Sequence, residues 1–172
     1  MNGFEREIRV FEFSQFYTRK LVEDVPDEQL AKQPFPGMNH AAWVLGHQAL
    51  TADFINRIIG DEGAEPVAPK GWAELFGPGS VPVPDRGRYP SKQELLEGLD
   101  RSGQAVRRIL AAVSPKVLDE ETPWEAFKAA LPTRRDAVAM IITSHHGSHN
   151  GQLSAWRRAM GLPPVYPRPR QS

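Results

Sequence analysis

The sequence predicts an all-α fold, a four-helix bundle with one long crossover between helices two and three. Four segments repeat apolar residues every three or four positions, as helices with one buried face do. No stretch alternates β-branched residues, and Val81-Pro82-Val83-Pro84, the nearest approach to a strand, is interrupted by its prolines. Two of the four apolar seams carry histidine, and core sites in helix bundles are built from inward side chains on facing helices.

Helix one is expected over residues 4–24, with Phe4, Ile8, Phe11, Phe13, Phe16, Leu21 and Val25 as its apolar side and Pro26 as its stop. Pro26 to Leu30 has the makings of one short helical turn, and Pro34 and Pro36 impose an extended link. Helix two is expected from Asn39, a favourable N-cap, to Ile59, with Gly60 ending it. Its inner face runs through His40, Trp43 or Val44, His47, Leu50 or Thr51, Phe54 and Ile58. Gly46, next to His47, permits close approach of another element.

Residues 60–90 hold six prolines and six glycines, too many for a continuous helix, so they form the crossover. Its centre, from Gly71 to Gly77, reads as a short helical piece carrying Trp72, Leu75 and Phe76. That piece is either a cover over a site or an anchor that closes the bundle. Ser91-Lys92-Gln93-Glu94 is a capping box opening helix three, which runs to about Val113 with Leu95, Leu99, Val106, Ile109 and Leu110 on its apolar side. A second connection is anchored by Val117, Leu118, Trp124 and Phe127. Thr133-Arg134-Arg135-Asp136 caps helix four, expected without interruption to Met160 and ending at Gly161-Leu162-Pro163-Pro164. Residues 163–172 make an extended proline-rich tail, and residues 1–172 are read as one domain.

Helix four carries the chemistry. His145 and His149 are four apart, so they stand one turn above each other, where two imidazoles can reach one ion. Extending that face gives Val138, Ile142, His145, His149, Gln152 and Trp156, a core-facing spacing. His47 in the seam of helix two completes a candidate set of three, and three neutral imidazoles leave positions open for water or substrate. Neutral histidines also pack into cores without a metal. Gln152 is a candidate catalytic residue, to hold a bound water or to fix a ligand histidine. His40 lies about 10 Å along the axis from His47 and is read as a cap-region contact. His146, rotated about 100° from His145, is expected on a flank or the surface. No glutamate follows His145, so the pattern is not that of a zincin, and Asp53 lies about 120° off the face of His47.

Composition narrows the classes. Lysine plus arginine equals aspartate plus glutamate, 21 of each, so no whole-chain field attracts nucleic acid or an anionic membrane. No run of about 18 apolar residues spans a bilayer, and the charged start MNGFEREIRVFEF is unlike a signal peptide; a soluble cytoplasmic protein is expected. There is no cysteine, which removes disulfides, zinc-thiolate sites and an internal thiol nucleophile. Arg157 and Arg158 are expected to offset the dipole at the end of helix four.

Asn39-His40-Ala41-Ala42-Trp43-Val44-Leu45-Gly46-His47 and His145-x-x-x-His149-Asn150-Gly151-Gln152-Leu153 resemble the two signatures of the DinB-like superfamily. That superfamily includes YfiT-like metal-dependent hydrolases, bacillithiol transferases and mycothiol-dependent maleylpyruvate isomerases. Its second signature often has arginine where this chain has Asn150. The resemblance implies a bundle whose three histidines, at His47, His145 and His149, hold zinc, nickel or iron, and dimers are common in it. It does not fix the reaction. Thiol-dependent transfer to a small electrophile, or isomerisation through a thiol adduct, is the leading expectation. Metal-dependent hydrolysis and a non-catalytic metal- or ligand-binding bundle are the alternatives.

Overall fold

The structure, a computed structural model, describes residues 2–166. The part of the expected tail at 167–172 lies outside them, and its described part has no regular secondary structure. The fold is all-α: among the described residues there is no strand, only an isolated bridge between Glu121 and Thr133.

Helix α1 spans Glu5–Val22, with Glu5 and Glu7 in its first turn and Arg19 and Lys20 in its last, each sign opposing the local end of the helix dipole. Phe4, Ile8, Phe11, Leu21 and Val25 are buried as expected. Phe13 and Phe16 are not: they are 58% and 48% exposed, and the inner face at their level belongs to Ser14 and Thr18. A 3-10 turn at Asp27–Gln29 follows.

The expected second helix is two helices, α2 at Ala41–Ala49 and α3 at Thr51–Ile59. Leu50 marks the break, at φ −81° and ψ 0°, with its N–H bonded three residues back to His47. The Thr51 hydroxyl donates to the Gln48 carbonyl at 2.7 Å, a local side-chain bond that competes with the helical ladder. The N-cap is His40 and not Asn39: His40 is extended, and its Nδ1 accepts from the Trp43 N–H. Asn39 instead reaches Gln152. Gly60 ends α3 in the left-handed region at φ +77°, where a side chain would be strained.

In the crossover, α4 covers Trp72–Phe76. Its two aromatic rings are buried against glycines: a Cβ on Gly46 would come within 2.5 Å of the Phe76 ring, and one on Gly98 within 2.5 Å of the Trp72 ring. Helix α5, Lys92–Ala112, begins with the expected capping box of Ser91 and Glu94. Ser114 then caps a single turn, α6 at Pro115–Leu118. Leu118 is buried, whereas Phe127 is 57% exposed, its ring edge-on to Trp124.

Helix four is also interrupted. It consists of α7 at Arg134–Met140, a π-helical turn at Ile141–His145 and α8 at His146–Ala159. Thr133 and Asp136 form its capping box. Within the π turn the Thr143 hydroxyl donates to the Ala139 carbonyl at 2.6 Å. Arg157 does more than offset a dipole: almost wholly buried, it donates to Asp24 and to the carbonyls of Leu21 and Pro163.

Helix α1 packs on α8, α2 and α3 on α5, α2 also on α8, and α3 on α7. The buried apolar residues fall into two clusters. One holds Leu21, Leu45, Leu95, Leu99, Leu153 and Trp156; the other holds Phe11, Ile55, Ile58, Leu110, Val138 and Ile142. Between them in each helical column lie buried polar side chains: Ser14 and Thr18, Gln48 and Thr51, Ser102, and His146 and Asn150. The three candidate ligands sit at this level. No helix among the described residues is long and apolar enough to cross a membrane.

Candidate metal centre

The structure brings His47, His145 and His149 together. The Nε2 atoms of His47 and His145 are 3.0 Å apart, and those of His149 and His145 are 3.2 Å apart. One ligand atom from each of the three lies within 4.8 Å of the others. Imidazoles bound to one tetrahedral ion at 2.0–2.1 Å hold their nitrogens about 3.3 Å apart, close to the separations of His145 from both of the others.

The tautomers agree. His47 Nδ1 lies 2.7 Å from the Phe76 carbonyl, which can only accept, so that nitrogen carries the hydrogen and Nε2 presents a lone pair. His149 Nδ1 donates in the same way to Gln152 Oε1 at 3.1 Å. Two lone pairs therefore converge on His145 Nε2, and a single proton there can satisfy only one of them. His145 Nδ1 is buried and has no hydrogen-bond partner. A cation among the three Nε2 atoms satisfies all three lone pairs together, so the residues present fit a divalent metal ion.

Burial keeps the imidazoles neutral, the form that ligates. It pushes His145 down to about 3, helped by the nearby charges of His149 and His47. It pushes His149 to about 4, helped by His47 and opposed by the bond to Gln152. His47 is lowered by burial, against the raising effect of its bond to Phe76. The Trp43 indole stacks on the His47 ring, with centroids 4.6 Å apart and planes 12° apart, and donates to Ser80 Oγ.

Gln152 is exposed, and its Oε1 accepts from both His149 and Asn39, which matches the second role expected of it, fixing a histidine of the cluster. His146 lies outside the cluster, as expected, but not on a flank. It is fully buried, with Nε2 2.8 Å from Thr51 Oγ1 and its ring edge-on to Phe11. The π turn explains this: one extra residue rotates α8 so that 146, 150, 153 and 157 are buried along its inner face, beside the still-buried Trp156. The ligand pair therefore stands at the edge of the inner face, towards α2. Asn150 takes the middle, donating to the Ser14 carbonyl and meeting the Thr18 hydroxyl at 2.6 Å. Both oxygens of Asp53 are taken by the N–H groups of Val67 and Ala68, which removes it as a ligand.

A cavity of about 310 Å³ opens on His47 and His145, walled by Phe54, Ile58, Ile141, Trp124 and two prolines, with Arg57 beside them. The cover expected of Trp72, Leu75 and Phe76 is absent from that wall; Trp72 and Phe76 are the anchors that the second reading described. Pro123 and Trp124, from the second connection, take the place beside the site. Neither Arg57 nor Trp124 stood out as functional in the sequence. Trp124 reads there only as an anchor of the second connection, and no local motif marks Arg57.

Comparison with known proteins agrees with this fold. Among solved structures, a conserved protein from Enterococcus faecalis superposes with a TM-score of 0.70 at 17% identity, over 94% of this chain and 99% of that one; at that identity the likeness concerns the fold. Among curated proteins the sequence finds no match. The family model of the DinB superfamily matches residues 11–153, which takes in all three histidines of the cluster, and the chain belongs to that superfamily.

Proposed function

We propose that this protein is a metal-dependent enzyme that transfers a low-molecular-weight thiol to a small electrophile, or isomerises a substrate through a thiol adduct. His47, His145 and His149 hold the ion, which is zinc, nickel or iron. The observation that carries the reading is the cavity beside His47 and His145, two members of the three-histidine cluster, because room for substrate next to the ligands suits catalysis and not structural closure. Bound there, a divalent cation keeps a thiol ionised near neutral pH and polarises a carbonyl.

The chain's own groups set the rest. Phe76 and Gln152 fix the imidazoles of His47 and His149, and Trp43 limits the tilt of His47 by stacking on it. The apolar walls exclude water and strengthen charge interactions inside the cavity. Among the described residues no carboxylate lines this cavity, so no carboxylate there serves as a general base. A thiol needs no such base once it is held as thiolate. With no cysteine in the chain, no internal thiol competes.

The test is elemental analysis of protein purified without chelators or immobilised-metal chromatography, followed by assays with thiol–electrophile pairs and with esters. About one metal per chain and metal-dependent thiol consumption are expected. Metal-dependent ester cleavage without thiol transfer would make it a hydrolase, and retained metal without either turnover would make it a binding protein.

A further inference from the structure

The 310 Å³ cavity has one ion in its lining besides the histidines, Arg57, and that ion is unpaired. Among the described residues Arg57 makes no salt bridge and no side-chain hydrogen bond. Its natural helical partner is Asp53, four residues earlier. Asp53 is committed elsewhere, its Oδ1 accepting from the Val67 N–H at 2.7 Å and its Oδ2 from the Ala68 N–H at 3.1 Å. Arg57, Phe54 and Pro78 also border a second cavity of about 570 Å³, so the two cavities meet at Arg57. The larger one is lined by Asp53, Asp61, Glu62 and Glu74 against Arg57 and Lys70, a net negative surface, whereas Arg57 is the one charged side chain in the lining of the smaller cavity.

We infer that the substrate occupying the smaller cavity is an amphipathic carboxylate, its apolar body between Phe54 and Trp124, its reactive end at the histidines and its carboxylate on Arg57. The guanidinium offers a planar pair of donors that matches a carboxylate, which a point charge does not. This inference rests on the proposed reading of His47, His145 and His149 as the reactive end. The competing role for Arg57 is structural: it lies in the last turn of α3, where a cation offsets the helix dipole.

The probes are 3-phenylpropionate and its uncharged amide, titrated calorimetrically into zinc-loaded protein. Four forms are compared: wild type, Arg57→Gln, Arg57→Lys and His149→Ala. Arg57 is exposed and unpaired, so its variants retain the fold. Wild type is expected to bind the carboxylate about 10- to 100-fold more tightly than the amide. Arg57→Gln should erase that preference at unchanged zinc content, and Arg57→Lys should keep part of it. His149→Ala should lose zinc and keep the preference. A preference that survives Arg57→Gln and disappears in His149→Ala puts the carboxylate on the metal, overturning this inference and leaving the metal reading intact. Equal binding of acid and amide by wild type overturns it as well. An effect of Arg57→Gln on melting temperature alone assigns Arg57 to the helix dipole. An Arg57-dependent preference in wild type that holds no zinc sustains the inference and removes the metal reading.

Discussion

The His47 imidazole donates from Nδ1 to the backbone carbonyl of Phe76 across 2.7 Å, so a ligand histidine on α2 is aimed by the crossover helix. The Phe76 ring lies over Gly46, where a Cβ would come within 2.5 Å of it. Backbone approach, ring packing and ligand orientation are thus one arrangement.

Gly46→Ala tests that coupling. Alanine favours the helix by roughly 0.5–1 kcal/mol, but the clash with Phe76 costs about 1–3 kcal/mol, so a net loss of stability is expected. Zinc affinity should fall about 10- to 100-fold as the Phe76 carbonyl moves off His47. Combining Gly46→Ala with Phe76→Leu should recover part of both. Urea denaturation and competition with a chromophoric chelator measure the two effects. Unchanged affinity in Gly46→Ala would separate α4 from the site.

The neighbours His146 and His149 should behave in opposite ways. His149→Ala removes an imidazole of the cluster and should abolish metal retention. His146→Ala should keep the metal but lose about 2–4 kcal/mol, through a cavity beside Phe11 and the loss of the imidazole's hydrogen bond to the Thr51 hydroxyl. Metal content and thermal melts of the two variants decide the matter. Metal loss in His146→Ala at full stability would contradict the geometry.

Gln152→Ala should weaken metal binding about 10- to 100-fold by freeing the His149 ring, with little effect on folding because the side chain is exposed. Gln152→Glu keeps the acceptor and should stay close to wild type in affinity. If instead Gln152→Ala kept full affinity and lost only turnover, the residue would belong to the chemistry and not to positioning.

The three-histidine cluster was legible in the sequence because His145 and His149 are one turn apart on any helix, and His47 lies in a seam. The all-α class was legible from the same periodicity and from capping boxes at Ser91 and Thr133, whose chemistry is local. What periodicity could not carry was the phase. The π turn at Ile141–His145 has no marker residue, yet it moves the inner face of α8 by one position and exchanges the expected places of His146 and His145. The break at Leu50 was hidden likewise, since Thr51 reads as helical until its hydroxyl is seen on the Gln48 carbonyl. Phe13 and Phe16 misled for another reason: apolar character predicts burial only on average, and here Ser14 and Thr18 face the polar layer between the two cores.

Metal-free protein should lose stability as pH falls from 6.5 towards 4. His40 has its folded value pushed down to about 4 by burial, with its bond to Val83 opposing, against an ordinary 6.5. Between those values the unfolded chain takes up a proton that the folded chain refuses, so stability is full above 6.5 and declines below it. Each such histidine contributes up to about 1.4 kcal/mol per pH unit, and His145 and His149 act with the same sign. Asp24 and Asp27, held low first by hydrogen bonds from Arg157 and Arg86, act below their ordinary 3.8 and leave this window clear. Denaturation at several pH values should show the slope, and His40→Asn, which keeps an N-cap acceptor, should make it shallower. A flat profile between pH 7 and 4.5 would mean that these imidazoles are accessible to protons in the folded state.

Trp72 and Trp124 divide the tasks of support and enclosure. Trp72 is 6% exposed, with its ring in the space above Gly98, so Trp72→Ala should cost about 3–5 kcal/mol. Its activity per folded, metallated molecule should be unchanged. Trp124 is only half-buried and stands in the wall of the cavity at His47 and His145, so Trp124→Ala should cost less stability. Opening that wall admits water and removes a surface for the substrate's apolar body, so kcat/KM for thiol transfer should fall about tenfold or more at unchanged metal content. Melting temperature and kcat/KM, measured on both variants at matched zinc occupancy, separate the two roles. Activity lost in Trp72→Ala at wild-type stability would return the role of cover to α4. Full activity in Trp124→Ala would show that the second connection closes the fold without closing the site.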